Sequence, residues 1–132
     1  MKIYRGFDYN RLKAIASKAG NQQIKRDVEY AKMLHYHNPE KTYCEIIDDK
    51  AFIIAQKQKE RMRIVGLCTT VDSRGLGLAS ILLQCCVAES KKCGYTTIAT
   101  RSYSGADYYA RKGFDVVGIK DGDYLLELNI TD

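Results

Sequence analysis

The chain has no tryptophan, one proline and two histidines in 132 residues. It also lacks any Gly/Ser-rich tract, low-complexity run or internal repeat, so nothing marks a linker, and residues 1–132 read as a single domain. A chain of this length buries about two-thirds of its unfolded surface, enough for a core without metal or disulfide staples. No apolar run approaches the roughly 20 residues of a membrane span. The first ten residues, MKIYRGFDYN, lack the apolar centre of a signal peptide. Paired C-x-x-C units are absent as well; the five cysteines, an odd number, stand alone or adjacent at Cys44, Cys68, Cys85, Cys86 and Cys93. These absences point to a cytoplasmic chain with packed free thiols and no membrane partner. His35 and His37 bring no further ligands at a zinc spacing, so no metal site is expected. No Gly-Lys dipeptide occurs, which excludes a Walker A phosphate loop.

What is present is a modest positive charge, +5 from 21 Lys and Arg against 16 Asp and Glu. It is spread along the chain and reads mainly as a solubilising surface. It favours an anionic ligand without demanding nucleic acid.

Hydrophobic periodicity orders the elements. MKIYRGF alternates as a short strand. Residues 8–20 carry Leu12, Ile15, Ala16 and Ala19 on one helical face, with Asp8 placed to cap and Gly20 to stop. Residues 22–37 continue as a second helix striped by Ile24, Val28, Ala31 and Leu34 or His35, and HNPEK breaks it. TYCEII, AFIIAQKQ and RIVGLCTTV follow as an antiparallel meander, the last strand almost continuously apolar and so expected to be buried on both faces. From Leu78 a helix runs through Ile81, Leu82, Cys85 and Ala88, with Lys91 and Lys92 in its last turn and Gly94 beyond. The strand YTTIATRS then returns parallel to residues 64–70. A short helix, SGADYYARK, with Ser104 as a cap and Gly113 as its stop, leads to the strands FDVVGI and YLLELNI. The pattern is a mixed α/β chain around one largely antiparallel sheet.

The run VDSRGLGLAS joins the apolar third strand of the meander to the leucine-rich helix. N–H groups of a first helical turn lack internal partners and, with the macrodipole, attract an anion. Gly75 and Gly77 let the backbone approach a ligand, Arg74 adds a guanidinium, and Ala79 keeps the helix start small. A dinucleotide fingerprint would need Gly or Ala where Ser80 stands. A plain glycine turn with no ligand is the bland alternative.

RGLGLA resembles the acyl-CoA pyrophosphate loop of the GNAT superfamily of N-acetyltransferases, Q/R-x-x-G-x-G/A, at Arg74, Gly77 and Ala79. About thirty residues on, YYARKGF resembles the same superfamily's second signature, with Tyr109 four residues before Gly113 and Phe114. The element order is similar over nearly the whole chain. The resemblance implies a single GNAT-like α/β (α+β) domain: a mixed, mostly antiparallel sheet with a central parallel strand pair and about four flanking helices. It implies acetyl-CoA as cosubstrate and acetyl transfer to a primary amine by direct attack in a ternary complex. The amides of Arg74, Gly75, Leu76, Gly77, Leu78 and Ala79 would take the pyrophosphate. Leu67, Cys68 and Thr69 would expose backbone groups to the pantetheine arm where a bulge splays two parallel strands, one N–H stabilising the oxyanion. Tyr109 would serve the leaving sulfur. Full proton transfer from a tyrosine of pKa ~10 to a thiolate of pKa ~8.5 is uphill by roughly 2 kcal/mol, so hydrogen bonding is the role implied.

The chain departs from that pattern in two places. Ser102 stands where many members carry Asn, and no carboxylate lies between Ile64 and Thr70 to act as base. Glu45 on the first meander strand is a substitute candidate, pointing either to the cleft or to solvent; an ordered water path is another. Cys68, beside the implied reaction centre, reads as a packing residue rather than a nucleophile. The acceptor side in this fold falls to residues 8–38, with Tyr9, Tyr30 and Tyr36, and to Lys120–Asp123. The expected partner is an amine-bearing small molecule, peptide or protein, bound by a monomer or homodimer. Two other readings stay open: an acceptor on nucleic acid or aminoacyl-tRNA, and a non-enzymatic acyl-CoA-binding module.

Overall fold

Asp8 begins the first helix by accepting the Arg11 N–H on its carboxylate at 3.2 Å, the bond that a short polar side chain offers an orphan first-turn donor. In the computed structural model, which describes residues 1–131, this helix (α1) runs Tyr9–Ser17 rather than to residue 20. It stops early because the Lys18 carbonyl is taken by the Val71 N–H at 2.9 Å, which diverts the chain from the helical ladder. Asn21 caps α2 (Gln22–His37) in the same manner, accepting from the Gln23 N–H at 2.8 Å.

Among the described residues, seven strands form one sheet. They are β1 (Ile3–Arg5), β2 (Thr42–Ile47), β3 (Ala51–Lys57), β4 (Met62–Thr69), β5 (Thr97–Ser102), β6 (Asp115–Lys120) and β7 (Asp123–Asn129). Their spatial order is β1-β2-β3-β4-β5-β7-β6, and β4 with β5 is the parallel pair. Helices α3 (Leu78–Lys92) and α4 (Ala106–Arg111) complete the domain.

Strand periodicity divides the core into two layers. Cys44, Ile46, Phe52 and Ile54 pack against Leu12, Ile15, Ile24 and Val28 of α1 and α2. Their neighbours Tyr43, Ile47, Ile53 and Ile64 face Leu78, Leu82 and Cys86 of α3 on the other side. The alternation is the pleat's period of two. Both faces of β2 and β3 are therefore apolar and buried, and the sheet lies between two helical layers.

Strand β4 is where expectation and structure part. Its first half is buried at alternate residues, but Leu67, Cys68 and Thr69 are only half-buried. The pairing with β3 explains it. Ile54 pairs with Gly66 and Ala55 with Ile64, so Val65 is one residue too many for its partner. Such a bulge bends the strand that carries it. On the other edge, β4 pairs with β5 only at Met62–Ile98 and Arg63–Ala99. Beyond those pairs the two strands separate and the second half of β4 loses a neighbour.

One buried carboxylate ties the layers together. Glu89 of α3 forms ion pairs with Arg5 of β1 at 2.7 Å and with Lys57 of β3 at 3.0 Å. Burial alone would raise its pKa, but the hydrogen bonds and charges of Lys57 and Arg5 outweigh that and hold it below the usual carboxylate value. Its stabilising contribution is thus complete above the unfolded carboxylate pKa of ~4.3 and is lost as pH falls through the lower folded value. We expect Glu89→Gln to cost roughly 1–3 kcal/mol in urea unfolding at pH 7. The gap between variant and parent should shrink as pH falls below about 4; a gap that stays constant from pH 7 to pH 3 would contradict this.

Candidate active site

The separation of β4 from β5 opens a cleft of about 870 Å³. One wall is β4 from Arg63 to Thr69, a second is β5 with the turn from Ser102 to Gly105, and α2 closes one end with Gln23, Asp27 and Tyr30. Helix α2 comes this close because Gly66 has no side chain: a Cβ there would meet Ile24 Cδ1 at 3.2 Å and Asp27 Cβ at 3.4 Å.

At the other end stands the loop into α3. Gly77 occupies the position before the helix with φ 76° and ψ 13°, a left-handed conformation, and no side chain caps the first turn. The Gly77 carbonyl accepts the Ile81 N–H at 3.1 Å. Among the described residues, no carbonyl or side chain takes the N–H groups of Gly75 through Ser80. This run of free donors at the positive end of a 15-residue helix suits an anion. Arg74 is committed in part: its Nη2 donates to the Ala19 carbonyl at 2.7 Å, fastening the loop to the α1–α2 junction. Of the six residues named from sequence for this loop, Arg74 and Ala79 line the cleft. Gly75, Leu76 and Gly77 form its exposed rim, while Leu78 turns its side chain into the core.

Leu67, Cys68 and Thr69 line the cleft as a wall, with the edge that faces β5 unpaired among the described residues. Burial, and the charge of Asp27, push the Cys68 thiol up to about 12, against a smaller opposite effect of Arg74. A thiol so shifted stays protonated at neutral pH and is a poor nucleophile.

Tyr109 reaches the same cleft from α4. Its helix ends at Gly113, φ 96°, and the Phe114 N–H returns to the Tyr109 carbonyl at 3.0 Å. That reversal brings the Phe114 ring against the Tyr109 ring, centroids 5.1 Å apart and edge to face. The spacing of the YYARKGF signature is thus what folds Phe114 back onto Tyr109. Burial raises the Tyr109 hydroxyl above its usual pKa, only partly offset by a hydrogen bond with Thr100. It is therefore a hydrogen-bond donor throughout the neutral range. Tyr108 also lines the cleft, and its buried hydroxyl has no hydrogen-bond partner among the described residues. Nothing in the sequence marks that hydroxyl as orphaned. The turn before α4 differs from expectation too. Ser104 caps nothing, and instead Ser102 Oγ accepts the Gly105 N–H at 2.7 Å.

Glu45 is not in the cleft. It is buried and accepts from the Tyr43 hydroxyl at 2.7 Å, on the α3 side of the sheet beside Cys85 and Cys86. The pleat places it there, since Tyr43, Glu45 and Ile47 share one face of β2. The expectation that it points to cleft or solvent is corrected on both counts. One carboxylate that does line the cleft is Asp27, half-buried on α2. Burial raises its pKa, against the Gln23 amide at 3.0 Å and the charge of Arg63. Its position one residue before Val28 of the apolar stripe places it at the margin of the buried face, a signal visible in the sequence once α2 is known to cross β4. Asp123 and Tyr30 also reach the cleft, whereas Tyr9 bonds Glu29 and Tyr36 is fully in solvent. Among the described residues no His, Cys, Asp and Glu cluster could hold a metal ion, and no helix is long and apolar enough to cross a membrane.

A family model described as "Acetyltransferase (GNAT) domain" matches residues 7–121. Solved structures share the fold at low sequence identity. The PaiA N-acetyltransferase of Thermoplasma acidophilum, in complex with coenzyme A, aligns with a TM-score of 0.76 at 13% identity over 98% of this chain and 99% of that one. The aminoglycoside 6′-N-acetyltransferase of Enterococcus faecium gives 0.76 at 16% identity over 100% and 98%. An Escherichia coli N-acetyltransferase whose acceptor is an alanine of a ribosomal protein gives 0.75 at 15% over 99% and 96%. No curated protein matches the chain.

The loop geometry carries a direct test. A Cβ on Gly77 would meet nothing within 4 Å, so Gly77→Ala isolates the backbone conformation. We expect a loss of about 1–2 kcal/mol in denaturant unfolding, the ordinary cost of a left-handed non-glycine residue. An unchanged midpoint would mean that the turn is not held in that conformation.

Proposed function

The chain belongs to the GNAT acetyltransferase family, and from that premise we propose that it transfers acetyl from acetyl-CoA to a primary amine by direct attack in a ternary complex. The observation that carries the reading is the alignment of three features along one cleft. Free amides stand at one end, an unpaired strand edge runs along the middle, and a buried tyrosine hydroxyl lies beside that edge.

Each feature has one task. The amides from Gly75 to Ser80 receive the pyrophosphate, which brings two negative charges to the positive end of α3. The β5-facing edge of Leu67, Cys68 and Thr69 offers backbone N–H and C=O groups to the pantetheine amides, as a missing strand would. A β4 N–H there donates to the thioester oxygen and gains strength as negative charge develops on it. Tyr109, kept protonated by burial, donates a hydrogen bond to the departing thiolate. It does not need to surrender its proton, and a raised pKa makes it a poorer acid while leaving it a donor. The acceptor enters from the side of α2 and the β6–β7 turn, where Asp27, Tyr30 and Asp123 stand. Among the structural relatives, an aminoglycoside amine and an alanine of a ribosomal protein are the acceptors, which supports an amine here.

Acetyl-CoA should raise the melting temperature; at a hundredfold excess over Kd the stabilisation is about 2.7 kcal/mol. No shift at millimolar ligand would overturn the acyl-CoA reading. Tyr109→Phe should lower kcat by roughly one to two orders of magnitude with the acetyl-CoA shift retained; equal turnover would remove Tyr109 from the mechanism.

A further inference from the structure

Asp27 is a carboxylate among groups that leave part of it unanswered. Gln23 Nε2 donates to its Oδ1 at 3.0 Å, and among the described residues no donor reaches Oδ2 within hydrogen-bond distance. The other ionisable groups that face it are Arg63 and Cys68 on β4 and Tyr109 on α4. Arg63 is partly engaged with the Tyr30 ring, its guanidinium 5.9 Å from the centroid. Cys68 and Tyr109 are held neutral by burial. Asp123, which also lines the cleft, is paired with Arg101 at 2.6 Å. Asp27 is thus a single negative charge next to the wall and the tyrosine assigned above to the thioester, with one oxygen open to the cleft.

We propose that Asp27 receives the acceptor as a cation, a primary ammonium, on Oδ2 and takes its proton. The inference rests on the acetyl-transfer reading and adds to it both the acceptor's charge state and the route of the proton. The step balances as follows. The ammonium gives one proton to Asp27, and the free amine nitrogen forms a bond to the thioester carbon. The C–S bond breaks, and the second proton of the nitrogen ends on the CoA sulfur. Asp27 then returns its proton to solvent, so that one ammonium and one thioester yield one amide, one thiol and one proton. Burial, by raising the Asp27 pKa, improves it as a base for an ammonium.

The charge state predicts a pH profile that a structural role would not produce. An enzyme that binds ammonium and deprotonates it works at constant kcat/KM from just above the Asp27 pKa up to the acceptor's own pKa. An enzyme without that base must wait for free amine, whose fraction rises tenfold per pH unit toward a pKa near ~10.4. We expect Asp27→Asn to lose about two orders of magnitude in kcat/KM at pH 7. Its log profile should climb with unit slope toward pH 10, closing the gap to the parent. Asp27→Glu should restore a flat profile in part. A simple diamine, whose alkylamines resemble lysine's with a pKa of ~10.4, serves as the acceptor. The acetyl-CoA melting shift of Asp27→Asn should equal the parent's, which separates loss of the base from loss of the donor site. A variant profile parallel to the parent's would overturn the proposal while leaving acetyl transfer intact; absence of an acetyl-CoA shift in the parent would instead overturn the reading beneath it. Carboxyl-carbon NMR gives a readout that needs no turnover. Added diamine should lower the Asp27 pKa, and an unmoved titration would also overturn the proposal.

Discussion

Two residue pairs, Met62 with Ile98 and Arg63 with Ala99, join β4 to β5, and the site depends on what the strands do after them. A parallel pair buried between two helical layers would ordinarily continue its ladder, because unpaired backbone groups inside a fold are costly. Here the ladder is interrupted from the opposite edge. The extra residue at Val65 bends β4 away, and Gly66 then lets α2 lean over the bend. The second half of β4 is left as an edge in the middle of a sheet. An edge of that kind is a place for an extended ligand to add itself as a strand. The free amides at the start of α3 lie where that strand's charged end would fall.

The two chemistries of the site are held by different layers. In the proposed reaction the donor end belongs to the sheet and to α3, whose register against β1 and β3 is fixed by the Glu89 pairs with Arg5 and Lys57. The proposed acceptor end belongs to α2, which brings Asp27 and Tyr30 to the cleft. Arg74 connects them, since its guanidinium holds the Ala19 carbonyl between α1 and α2 while its backbone begins the glycine loop. A residue read from sequence as a phosphate contact is therefore also a brace between the two ends of the cleft.

The order of elements was legible because the α1 and α2 stripes, the meander and the α3 periodicity each bury one continuous face. The glycine loop and the Tyr109 signature were legible because both depend on local backbone geometry: Gly77 before a helix, and Gly113 placing Phe114 against Tyr109. What the sequence did not yield is what depends on the angle between elements. On paper Glu45 stands out as the candidate acid and Asp27 does not. Strand alternation sends Glu45 to the α3 layer, and the crossing of α2 over Gly66 sends Asp27 into the cleft. Ser102 and Ser104 likewise exchange roles, because the turn closes on Ser102 Oγ rather than on a helix cap. The early end of α1 follows from a bond to Val71, fifty-odd residues away, which no local pattern encodes.

The central claim is that the Gly75–Ser80 amides and the β5-facing edge of Leu67–Thr69 form one donor site. Amide hydrogen exchange in the presence and absence of saturating coenzyme A measures it directly. The account predicts that both segments exchange rapidly in the free protein and become protected together on binding. Binding with protection elsewhere, and with Gly75–Ser80 exchange unchanged, would contradict it.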